Sequence, residues 1–466
     1  MSNCKCNNKK TKNISFSFTG AGVSRCSGTC SYCSAAKSMN YGMWLNPDNI
    51  DDDLIKIDNE CYEQFKADFS KVEETFDNDP QIKPVLEHRD EYDRVSFHVD
   101  FWGADPLASF SMLEEMVDFI EYYCDKHNFI PSLSTSTNGL AIKRKECVDF
   151  LHKHHMTLQL SHDGLGQWIR TQDVDPMEWP ETQALIKDGT LNAINCTLNF
   201  WNNSLFKNID YYNHYLKQIF PNVYNKTASK EEEAIFNKLY IKLNHIYNST
   251  YDIKAKNKHG LYNGQHYDSL VNVEIGDLAF RNDTELATKY NIMDLGHCLE
   301  NYIHDFEHLA ILMMDPALNN SLDYKPYRSY INGQIDRYNK IADHDTITGA
   351  CRAYQRYKYN IGDKKGQKSY TFVIDTLGNY SECNLIDSEH SVLNPGGEQA
   401  SYCKGCRYEF QSECNTCGSM TFPDKCTYNY AWCQLLERLY WWKHYTKSIR
   451  LDEKNRIINN LISNKL

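Results

Sequence analysis

The stretch ISFSFTGAGVSRCSGTCSYC (residues 14–33) joins an alternating strand to a loop that holds three thiols. From Ile14 to Thr19 apolar and polar residues alternate with the period of a strand, and Gly20 and Gly22 punctuate its end. Cys26, Cys30 and Cys33 then fall within eight residues. Thiols this dense need partners. A disulfide is disfavoured, because the first fifteen residues are polar and lysine-rich and carry no apolar signal segment. That leaves metal. A closed structural zinc site wants four ligands, and this loop offers three. An iron-sulfur cubane takes four thiolates, so three would leave one iron open to a ligand from outside the protein.

Working outward, the 466 residues are too many for one small domain and predict two or three units with a sizeable core. A net charge of -12 argues against a nucleic-acid backbone as the main partner, since phosphate binding needs clustered Lys and Arg. No apolar run is long enough to span a bilayer, so a soluble protein with no membrane partner is expected. Eighteen cysteines without a secretion signal point to a reducing, cytoplasmic setting and to metal ligation.

Strand and helix alternate after the cysteine loop. Residues 51–76 show helical spacing, with Leu54, Ile57, Cys61, Phe65 and Phe69 on one face. Strands are expected at 94–101, 132–137, 157–161, 191–199 and 240–245, and helices at 107–127, 143–153 and 205–219. This order predicts an α/β fold with a parallel sheet and crossover helices, a partial (β/α)6 barrel over residues 14–250 behind a tail at 1–13. Functional residues of such sheets collect at the carboxyl ends of the strands. Four of those ends carry glycine or polar punctuation: the cysteine loop, Gly103 to Pro106, Asn138-Gly139, and Ser161 to Gly164. Each is an ordinary turn sequence taken singly.

Their order resembles the radical S-adenosylmethionine (SAM) enzymes. Cys-x3-Cys-x2-Cys, with Tyr32 before the last cysteine, is similar to that family's cluster signature. The resemblance implies that SAM chelates the open iron of a 4Fe-4S cluster and is cleaved to a 5'-deoxyadenosyl radical. Trp102-Gly103-Ala104-Asp105-Pro106 resembles the GGEP motif that holds the SAM amino group, with Ala104 and Asp105 in place of the second Gly and the Glu. Asp105 is shorter than Glu, so the backbone is expected to carry that role. Thr137-Asn138-Gly139 matches a strand end seen in many members. Ser161 and Asp163 lie where the fourth strand of the family approaches the SAM ribose and carboxylate, Arg170 matches a carboxylate-binding arginine, and Leu243 sits where the sixth strand passes adenine.

Residues 251–345 are expected to be a connector or insertion. A helix fits residues 294–314, where His297, His304 and His308 share a stripe that reads as a polar face rather than a metal site. Near the C-terminus stand Cys351, Cys383, Cys403, Cys406, Cys414, Cys417, Cys426 and Cys433. Zinc would accept the double Cys-x2-Cys at 403–417 readily, and eight thiolates would equally hold two cubanes. Beside a radical SAM core the array resembles the SPASM extension, placing an auxiliary-cluster domain at 346–433. The resemblance assigns Cys351, Cys383 and Cys417 to one auxiliary cluster and Cys403, Cys406, Cys414 and Cys433 to the other. Cys426 could replace Cys433 or complete the nearer cluster. Between the array's first two cysteines a hairpin is expected, with strands at 370–375 and 380–383, and a C-terminal helix is expected within 434–466.

The resemblance implies an oxidoreductase of the peptide-maturase type that abstracts hydrogen from a side chain of a peptide or protein, forming a crosslink or an oxidation. It implies a flavodoxin- or ferredoxin-type electron donor. With no room before Ser15 for a recognition domain, a leader peptide would need a separate binding protein or the 246–345 region. The competing readings are a radical SAM enzyme acting on a small molecule or nucleoside, and a zinc-stabilised interaction protein without catalysis. No catalytic acid or base is assigned.

Overall fold

The computed structural model describes residues 13–20, 94–101, 105–171, 174–198, 202, 204–245, 295–313, 318, 320–333, 368–374 and 380–381, with parts of 62–91. The expectations for Cys26, Cys30, Cys33, Tyr32, Gly103, Ala104 and all eight C-terminal cysteines lie outside these residues, as do those for the tail and for 434–466.

Eight strands form one sheet in the order β6-β5-β4-β3-β2-β1-β7-β8. They are β1 (Asn13–Gly20), β2 (Arg94–Phe101), β3 (Ile130–Thr137), β4 (Thr157–Ser161), β5 (Leu191–Leu198), β6 (Tyr240–His245), β7 (Lys368–Ile374) and β8 (Tyr380–Ser381). Every neighbouring pair from β6 to β7 is parallel, and only β7 and β8 run antiparallel. Strands β1 to β6 stand in chain order, joined by helices, an arrangement consistent with a partial barrel. The expected hairpin is present. Its first strand does more than pair with its partner, because β7 hydrogen-bonds along the free edge of β1, with Ile14 opposite Lys368 and Gly20 opposite Ile374.

The sequence explains which face is covered. In β2, Val95, Phe97, Val99 and Phe101 are buried while Ser96, His98 and Asp100 are only part-buried, so alternation puts the apolar set against helices. The helix α1 (Phe110–Lys126) meets them with Leu113, Met116, Val117, Ile120 and Tyr123, the spacing of one helical face. Phe69 packs edge-on to Tyr123 at 4.6 Å, and Phe97 stacks on Phe129 at 6.0 Å. Each such ring is worth about 1.5–3 kcal/mol when fully withdrawn from water. Asn128, at φ 54, ends α1 in the left-handed region, which lets the Phe129 amide return to the Cys124 carbonyl at 2.8 Å.

Further crossovers are α2 (Lys145–Lys153), the one-turn α3 (Gln167–Thr171), α4 (Pro180–Asp188), α5 (Leu205–Ile219) and α6 (Lys230–Lys238). Three of them, α3, α4 and α6, have no counterpart among the expected elements. The reason is visible in α6, KEEEAIFNK, which buries only Phe236 and is started instead by the Ser229 side chain accepting from the Glu232 amide. The expected helix at 294–314 is α7 (Leu295–Met313). It docks on α5 through Asp305, whose Oδ2 accepts from the Leu205 amide at 2.9 Å and the Ser204 hydroxyl at 3.1 Å. His304 is exposed, with its ring 4.4 Å from that of His308 and its Nδ1 3.8 Å from Asp305 Oδ1. Cys124, Cys147 and Cys196 are buried free thiols of the core, and burial pushes each upward, Cys124 to about 12 and Cys147 to about 11. No helix among the described residues is long and apolar enough to cross a membrane.

Candidate functional site at the strand ends

Two buried polar clusters stand at the carboxyl ends of β2, β3 and β4. The first is centred on Asp105, which is fully buried. Its Oδ2 accepts from the Thr137 hydroxyl and from the Asn138 amide, both at 3.1 Å, so one carboxylate ties the loop after β2 to the end of β3. Thr137 in turn accepts from the Gly139 amide at 3.0 Å, and Asn138 caps the next turn by accepting from the Leu140 amide at 2.9 Å. Gly139 is required here. At φ +95 a Cβ would lie 2.7 Å from Pro176. Asn138-Gly139 therefore serves as the end of a parallel strand rather than as a hairpin turn.

Burial raises the Asp105 carboxyl to about 6, against the lowering effect of the Asn138 amide, the Thr137 hydroxyl and the nearby amides of Leu107 and Ala108. Its Oδ1 is buried without a hydrogen bond among the described residues. Because the folded value lies above the ordinary 3.8, the fold holds a proton that the unfolded chain releases, and stability falls as pH rises from about 4 to about 6. The shift is worth about 3 kcal/mol. In urea unfolding, Asp105→Asn is expected to gain by that order relative to wild type between pH 4 and pH 7. A constant difference across that range would show that Asp105 does not titrate there.

The second cluster belongs to the loop after β4. Asp163 is fully buried and pairs with Arg170 on α3, Oδ1 to Nη2 at 2.9 Å. The same oxygen accepts from the Thr197 amide at 3.3 Å, bringing in the end of β5. Burial pushes the carboxyl upward while Arg170 pulls it back. Its Oδ2 has no hydrogen bond among the described residues. The Asp163 amide donates to Gln167 at 2.8 Å, and Asn202 donates to the Asp163 carbonyl. The loop therefore has a fixed course. Gly164, at φ +56, has no room for a Cβ beside Asn208.

His162 supplies most of that rigidity. Its ring is fully buried, and Nδ1 accepts from the Gly164 amide at 3.0 Å. The proton is thus on Nε2, which donates to Asp175 at 2.9 Å. Burial lowers His162 and outweighs the pull of Asp175, so this contact is a hydrogen bond from a neutral imidazole rather than an ion pair. Burial alone would raise Asp175. Donation from His162, the Tyr211 hydroxyl and the Met177 amide brings it below its ordinary value instead. Tyr212 closes the group by donating to the His162 carbonyl at 2.9 Å.

Of the residues expected to contact the cofactor, the structure pairs Asp105 with the Asn138 amide and Asp163 with Arg170. Ser161 stands at the end of β4, opposite Asn195 in the register. Leu243 is not among the polar groups, being fully buried in the apolar core. His162, Asp175, Tyr211, Tyr212, Asn202 and Asn208 were not singled out. The available signal was His162 beside Asp163 in a strand-end turn.

The face of the sheet away from the helices is polar as well. Ser132 lies 3.2 Å from His98 Nδ1, His98 Nε2 lies 3.3 Å from Ser134 Oγ, and Ser134 donates to Asp100 at 2.7 Å. Asn195 donates to Gln159 on the same face at 2.9 Å. At the opposite end of the sheet, ligand atoms of Asp118, Glu121 and His154 lie within 4.8 Å of one another, but the pairing of His154 with Glu121 at 2.9 Å accounts for the contact without an ion.

No protein-family model matches the chain, and no curated protein matches it. Among solved structures it is similar to "Native anSMEcpe with bound AdoMet", an anaerobic sulfatase-maturating enzyme, at 13% identity and TM-score 0.45, covering 93% of this chain and 100% of that one. It is also similar to "Native anSMEcpe with bound AdoMet and Kp18Cys peptide", at 12% identity and TM-score 0.46, over 92% of this chain and 99% of that one. Scores and identities at this level leave the activity to be argued from this chain's own residues.

Proposed function

We propose that this chain is a radical SAM enzyme with SPASM-type auxiliary clusters, which cleaves SAM reductively to a 5'-deoxyadenosyl radical and abstracts hydrogen from a peptide or protein side chain. The observation that carries the reading is positional: a three-thiol loop follows β1, and polar motifs follow β2, β3 and β4 of one parallel sheet.

Cys26, Cys30 and Cys33 would hold the SAM-binding 4Fe-4S cluster, which when bound supplies the electron for SAM cleavage. The strand ends suit a polar cofactor, because buried oxygens of both Asp105 and Asp163 retain hydrogen-bonding capacity. Asp105 and Asn138 hold the loop after β2 in place beside β3. Asp163 and Arg170, fixed by His162 and Asn202, would orient the ribose and carboxylate of SAM. The pairing of Asp163 with Arg170 leaves that corner close to neutral, so hydrogen bonding rather than net charge does the positioning. Alternation gives the sheet a polar side across β2 to β5, suited to exclude bulk water while holding a peptide segment through hydroxyl and amide groups.

Eight C-terminal cysteines would hold two auxiliary clusters, for the electron released on oxidation of the substrate or for substrate binding. Metal analysis tests the whole reading. Protein purified without oxygen is expected to be brown and to carry about twelve irons. A colourless protein holding zinc, and stable in air, would favour a zinc-stabilised interaction protein instead.

A further inference from the structure

Ser161 on β4, Asn195 on β5 and Lys242 on β6 form one row across three strands, since Ser161 pairs in register with Asn195 and Asn195 with Lys242. All three are part-buried, whereas Leu160, Ile194, Ile241 and Leu243 beside them are buried against the helices. The row therefore lies on the polar face, at the level where β4 ends and the Asp163 loop begins. Asn195 is already engaged there with Gln159.

Among the described residues the charges of this region do not close. Arg170 has Asp163 as its counter-ion. His162 is neutral, and Asp175 is answered by three donors. Lys242 has no acidic partner and no acceptor among the described residues. Desolvation lowers its amine, and no neighbouring charge pulls it back. An ammonium withdrawn from water ordinarily finds a carboxylate or gives up its proton.

We propose that Lys242 binds a carboxylate of a molecule held on the polar face of the sheet, in the row it shares with Asn195 and Ser161. Two carboxylates could reach this row under the reading above: that of SAM, and that of an acidic residue or C-terminus of the peptide substrate. Their chemistry is the same and their sources can be separated.

The experiment measures the acylation rate of the Lys242 amine by mass spectrometry on full-length, anaerobically prepared protein. Four probes are compared at millimolar concentration: SAM, decarboxylated SAM, acetyl-Ala-Asp-Ala-amide and acetyl-Ala-Asn-Ala-amide. Several-fold slowing by SAM but not by its decarboxylated twin assigns Lys242 to the cofactor. Slowing by the Asp peptide but not by the Asn peptide assigns it to the substrate. Lys242→Met is expected to lose affinity for that carboxylate probe alone by about 10- to 100-fold, and Lys242→Arg to keep most of it. Equal slowing by charged and neutral twins would mean simple coverage and would overturn the inference, as would no slowing by any probe. The proposed function is judged apart from this: if SAM is cleaved yet Lys242 is never protected by a carboxylate, only the inference is lost.

Discussion

Replacing Cys30 by alanine is expected to remove the SAM-binding cluster and to lower release of 5'-deoxyadenosine by more than about a hundredfold, since changes one shell farther from a metal already cost about 10–100-fold. Under the proposed assignment Cys30 is the middle ligand of the loop, and two thiolates cannot close a cubane that needs three from the protein. Iron should fall by about four per chain while the auxiliary clusters remain. The two readouts together matter. Loss of activity with iron unchanged would mean that Cys30 serves chemistry other than ligation, and unchanged activity would remove the loop from the site altogether.

Arg170→Met is expected to be the most damaging change among the described residues. Asp163 is fully buried and Arg170 nearly so, and removing one partner of a buried pair costs about 3–5 kcal/mol, because the other is left without compensation. Asp163 already lies above its ordinary value, and loss of the guanidinium moves it further upward. A carboxyl raised in the fold contributes stability that is lost as pH rises, so the deficit of Arg170→Met should be smaller at pH 5 than at pH 8. Asp163→Asn combined with Arg170→Met should recover much of the loss. Unfolding in urea at the two pH values reads both effects. A deficit independent of pH would mean that Arg170 acts through packing rather than charge.

What the sequence made legible follows from the range of the interactions involved. Strands β4 and β6 were read to the residue, at 157–161 and 240–245, because alternation bounded by turns is a local signal. So was α5, started by Ser204, which accepts from the Lys207 amide. The pairing of β7 with β1 was not legible, since parallel partners are chosen by the assembled sheet and not by either strand. The same holds within the site. Asp163 and Arg170 are seven residues apart and could be guessed as a pair. By contrast His162 meets Asp175 and Tyr212, which are 13 and 50 residues away, so no spacing rule points to them. Helix α6 escaped because its cap, rather than an apolar stripe, defines it.

Everything proposed for this chain rests on one reaction. Full-length protein carrying its iron, reduced with dithionite and supplied with SAM in the absence of oxygen, is predicted to release 5'-deoxyadenosine and methionine in equal amounts. Iron-replete protein that leaves SAM intact under those conditions would contradict the account.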